Sequence, residues 1–138
     1  RAPAILSGAM HDQNLAILKG LVSVAWADGK VAAEEMDVIE GLLQAYEASP
    51  SEAHEIRLFA RQPRAIQDVP LSDLSAADRR VLLHQAVLVT YADGVQSDAE
   101  RAVLTALVEQ LRIPMAEASA ILESGAKHAE SMLHLLKS

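Results

Sequence analysis

Asp28 and Glu35, and again Asp93 and Glu100, are the side chains whose types and spacing could do chemistry. Each pair reads Asp-Gly, five intervening residues, then Glu. Four carboxylates offer only oxygen donors, which is the chemistry of a hard divalent cation such as Ca²⁺ or Mg²⁺. The spacing equals positions 5, 6 and 12 of an EF-hand loop, where Gly makes the sharp turn and the last Glu binds through both oxygens. Positions 1 and 3 would fall on Val24 and Trp26 in one copy and on Val89 and Tyr91 in the other. None of these carries a carboxylate, so a complete EF-hand is excluded in both.

Two uses of the four carboxylates stay open. In the first, each ties down its own loop: the Asp accepts amides in the turn, and the Glu reaches back to the start of the next helix. Ser97 with Glu100 fits this directly, whereas Glu35 has only Ala32 at the cap position. In the second, Asp28, Glu35, Asp93 and Glu100, with Glu34 adjacent, meet across a pseudo-twofold axis and share one cation. Capping carboxylates are common at helix starts, so spacing alone favours the first use. Hydrolysis by paired carboxylates would need a cleft and perturbed pKa values, which the sequence does not reveal.

The elements that must position these residues come in two copies. Asp28, Gly29 and Glu35 align with Asp93, Gly94 and Glu100, and the same offset pairs Val22 with Val87, Leu42 with Leu107 and Ile56 with Ile121. A fixed offset held over this length argues for an internal duplication. The expected fold is all-α, about seven helices in a single domain spanning 1–138, with the duplicated units packed around a pseudo-twofold. Repeat 1 covers about 12–62, a joint 63–74, repeat 2 about 75–125, and a last helix 126–138 follows an interruption or kink at Gly125. A short helix before Asp12 is also expected, with Asp12 capping the first firm helix to about Ala27. The second helix should run from about Ala33 to Ala48. Ser49-Pro50-Ser51-Glu52 starts the third with a capping box and a first-turn proline. Ser75 and Ser97 start the helices of the second copy.

Hydrophobic residues make up 51% and aromatics 3%. That mix suits packed helices, and 138 residues can bury a core without staples. Without cysteine there is no disulfide and no thiolate chemistry. No apolar run reaches the roughly 20 residues of a membrane span. The chain starts at Arg1 and reads as part of a longer protein. Its net charge of −7 disfavours non-specific nucleic-acid binding. Residues 28 to 55 hold eight acids against Lys30, so this segment carries the whole −7. That is either a solvated face or a surface for a cation or a basic partner.

His11, His54, His84, His128 and His134 are scattered and read as surface or interface residues, since no zinc spacing joins them. No nucleophile elbow and no phosphate-cradling loop is present. Trp26 and Tyr91 read as core plugs at the two helix ends. Met10, Met36, Met115 and Met132 read as core filling.

An apolar helix ending in Ala-Asp-Gly, a Glu closing the loop, and an amphipathic helix, all twice over, resembles the tellurite-resistance TerB-like family. The resemblance covers about residues 12 to 125. One departure stands in the second loop: Gln96 falls where Val31 supplies an apolar residue in the first, with Val95 one place early. The resemblance implies an all-helical, non-enzymatic domain. Its acidic residues Asp28, Glu35, Asp93 and Glu100 would bind a divalent cation. The role implied is in a bacterial stress response beside membrane-associated protein partners, in the cytoplasm or at the membrane surface. The alternative is a metal-free interaction or scaffolding domain of a larger protein, docking a partner on its acidic 28–55 face or its apolar segment 126–136.

Overall fold

The helix Ala76–Thr90 is the axis of the fold, with Leu82, Leu83, Ala86, Val87, Val89 and Thr90 all buried along it. It is the fourth of six helices among the described residues of the computed structural model, which are 12–137 except 70, 72, 73, 93 and 95. The others are α1 (Asp12–Ala25), α2 (Ala33–Ala45), α3 (Pro50–Phe59), α5 (Asp98–Leu111) and α6 (Met115–Lys137), with α4 the central one. Single 3₁₀ turns cover Trp26–Asp28 and Ile66–Asp68, and no strand occurs among the described residues. The α4 helix packs most extensively on α6 and on α1. The apolar stripe of α1, made of Ile17, Leu18, Leu21, Val22 and Ala25, is fully buried. These positions recur at helical spacing, which is why a chain with so few aromatics still closes a core.

Local signals set the helix starts. The Ser49 hydroxyl accepts from the Glu52 amide at 3.2 Å while the Glu52 carboxylate accepts from the Ser49 amide at 2.8 Å. Pro50 holds the first turn, where no amide is needed. Ser97 and Glu100 repeat the same reciprocal pair at the start of α5. Ser75 caps α4 through the Asp78 amide at 3.1 Å. Starts at Ala33 and Asp98, and at Pro50 and Met115, keep the sequence offset between the two copies. In the joint, Ile66, Val69, Leu71 and Leu74 are buried, and Gln110 Nε2 donates to the Ile66 carbonyl at 3.0 Å.

Four expectations need correction. The α1 helix stops at Ala25, and its last turn tightens to 3₁₀ geometry. The α2 helix stops at Ala45, because Glu47 turns into the left-handed region at φ 56. Gly125 neither interrupts nor kinks α6, which is continuous from Met115 to Lys137. A Cβ at Gly125 would lie 2.9 Å from the Val87 Cβ, so the glycine serves a close helix crossing, not a turn. With that break gone, the separate last helix disappears. Met115 is 66% exposed and fills no core, since it opens the first turn of α6. The expected helix before Asp12, its Asp12 cap, Met10, His11 and the side chains of Met132 and His134 lie outside the described residues.

Candidate functional site

The two loops close in the same way. Gly29 and Gly94 sit at φ 83 and φ 95, a region where a Cβ is strained and glycine is not. The Gly29 amide donates to the Trp26 carbonyl at 2.9 Å, and the Gly94 amide donates to the Tyr91 carbonyl at 2.9 Å. Both rings are half-buried against the core, and Trp26 Nε1 donates to the Ala60 carbonyl at 3.1 Å. They hold the helix ends, as the sequence suggests.

Each loop then turns its glutamate inward. The Ala32 amide donates to Glu35 Oε1 at 2.8 Å, and the Ser97 amide donates to Glu100 Oε1 at 2.8 Å. Glu35 is 3% exposed and Glu100 is 2% exposed. The two carboxyl groups face one another across the loops, within reach of a hydrogen bond. Such a bond needs a proton on one of the two, because an ionised carboxylate only accepts. The Ser97 hydroxyl adds a second bridge, donating to Asp28 Oδ1 at 2.7 Å.

Electrostatics agrees with this geometry. Burial pushes the Glu100 carboxyl above the ordinary glutamate range, and the Asp28 charge acts in the same direction. The Ser97 amide, the Glu35 carboxyl and the Ser97 hydroxyl oppose that rise. A neutral or singly ionised pair avoids placing two charges side by side out of water.

Of the expected cation ligands, Glu35 and Glu100 come together, and Asp28 is joined to the second loop through the Ser97 hydroxyl. Glu34 is exposed, and Asp93 lies outside the described residues. The donor chemistry is that of a hard cation, but the oxygens are already engaged. One oxygen of each glutamate accepts a backbone amide. Among the described residues no group of three or more His, Asp or Glu is placed to hold a metal ion.

Hollows open on the surface among the described residues, and two of them are lined by other residues. One, of about 200 Å³, lies over Val87, Tyr91, Leu104 and Leu122. The other, of about 530 Å³, is lined by Lys19, Phe59, Arg61 and Arg64, with two of those cations stacked near the Phe59 ring. Of the eight acids in 28–55, Glu35 is buried and Glu52 caps α3. Glu40 is tied to Arg57 through two hydrogen bonds of 2.7 Å, and Glu55 to Lys19 at 2.8 Å. Glu34, Asp37 and Glu47 remain on the exposed face.

Linear spacing missed one pair altogether. His84 on α4 and His128 on α6 stand within 3.3 Å of one another, ring nitrogen to ring nitrogen. Only the register between two helices brings them together, and no motif encodes that. Among the described residues no helix is long and apolar enough to cross a membrane. No family description, curated protein or solved structure matches the chain.

Proposed function

We propose that this chain is a non-enzymatic, TerB-like interaction module whose exposed acidic face is read by a basic protein partner. The observation that carries this reading is the inward turn of Glu35 and Glu100. Glu35 and Glu100 are turned inward where the two loops meet, and Glu34, Asp37 and Glu47 are left facing outward. Loops tied in this way hold the face in one shape, which favours recognition over turnover. By the same resemblance, the role is in a bacterial stress response of the tellurite-resistance kind, at or near the cytoplasmic membrane surface. A lysine-rich peptide is the probe. Binding should weaken with salt and fall in a Glu34→Gln/Asp37→Gln/Glu47→Gln chain that melts like the parent. Equal binding by both chains would sink the reading.

A second reading places Ca²⁺ or Mg²⁺ at Asp28, Glu35 and Glu100. It is favoured by one observation, the burial of two facing carboxyls beside a third. Titration of each ion into the chelator-treated chain tests it, with melting temperature and Trp26 fluorescence as readouts. A saturating rise that Asp28→Asn removes supports the cation. A flat response leaves the metal-free module.

A further inference from the structure

His84 Nε2 and His128 Nδ1 stand 3.3 Å apart, with ring centroids at 5.5 Å and planes tilted by 31°. A hydrogen bond between the rings accounts for this spacing. A metal ion held between the two nitrogens accounts for it as well. Two imidazole nitrogens bound at about 2.0–2.1 Å to a tetrahedral ion stand about 3.3–3.4 Å apart. Neighbouring corners of a square plane would stand at about 2.8–3.0 Å.

We propose that His84 and His128 form a two-imidazole site for a tetrahedral divalent ion of the zinc class, with water in the remaining positions. The backbone under both rings is fixed. Gly125, three residues before His128, lets α6 approach Val87, three residues after His84, so closely that a Cβ would stand 2.9 Å from the Val87 Cβ. The Arg80–Glu117 ion pair ties the same two helices again. His84 is half-buried and His128 is exposed, so an ion from solution can reach them. The net charge of −7 draws cations toward the surface. Among the described residues no third His, Asp or Glu completes the set, which makes the site open and exchangeable, unlike a closed structural zinc site. Imidazole ligands also separate it from the buried carboxyls, whose oxygens suit Ca²⁺ and Mg²⁺.

Zinc titrated into the full chain tests this, with heat of binding and melting temperature read together. The expected result is one zinc per chain and a saturable rise in melting temperature that chelator reverses. His84→Gln and His128→Gln should each weaken binding by about tenfold or more, because each leaves one protein bond of two. His54→Gln and Asp28→Asn should leave zinc binding unchanged, and Ca²⁺ should not compete. His128→Ala, at an exposed position, repeats the measurement should a Gln variant melt differently without metal. Zinc binding that is absent in the parent, or equal in the parent and both pair variants, overturns the proposal.

Discussion

The Ser97 hydroxyl donates to the Asp28 carboxylate at 2.7 Å and accepts the Glu100 amide at 3.1 Å. One side chain thus caps its own helix and fastens the other loop to it. The Ser97→Ala change should remove both bonds, at about 1–2 kcal/mol. Thr in its place should recover most of the loss. Chemical denaturation of the two variants checks this, and equal midpoints for Ser97→Ala and the parent would refute it.

The Glu35–Glu100 pair sets a slope in stability against pH. Burial raises the Glu100 pKa in the folded chain, so folding favours its protonated form. Its stability contribution is whole below the unfolded carboxylate range, near about pH 4.3, and is lost as pH rises through the folded value. Glu40 and Glu117 slope the other way, because hydrogen bonds from Arg57 and Arg80 hold their carboxyls below the ordinary range. The readout is therefore a difference between variants. The Glu100→Gln chain keeps the Ser97 amide contact and should lose less stability than the parent as pH rises from acid to neutral. Parallel curves would show that Glu100 does not carry the proton.

Three glycines should answer alanine differently. At Gly125 the added Cβ meets the Val87 Cβ at 2.9 Å, and overpacking of this kind costs about 1–3 kcal/mol. Pairing it with Val87→Ala should relieve part of that loss. At Gly29 the space is open but φ is 83, so backbone strain alone destabilises, by about 1–2 kcal/mol. Gly41 lies inside α2 with nothing within 4 Å, and alanine there should stabilise by about 0.5–1 kcal/mol. Thermal melts of the three single variants check the order.

The helical class was legible because the apolar stripes of α1 and α5 repeat at helical spacing and Ser49, Ser75 and Ser97 mark starts. The pairing of Glu35 with Glu100 was half legible. The common offset put both at equivalent positions, but nothing in the spacing told that they turn inward. Gly125 was misread, because a glycine that permits close packing and one that ends a helix look alike until the neighbour, Val87, is known. His84 and His128 escaped for the same reason: their proximity belongs to the crossing of α4 and α6, and 44 residues separate them in the chain.

The facing Glu35 and Glu100 carboxyls have a consequence for the order of folding. Ala32–Glu35 and Ser97–Glu100 are local contacts, three residues apart, and can form within each half on its own. The carboxyl pair exists only after the halves have docked, when the entropy of closing the intervening chain has been met. Its energy therefore belongs to the last stage of assembly. Weakening it should speed unfolding while leaving the folding rate almost untouched.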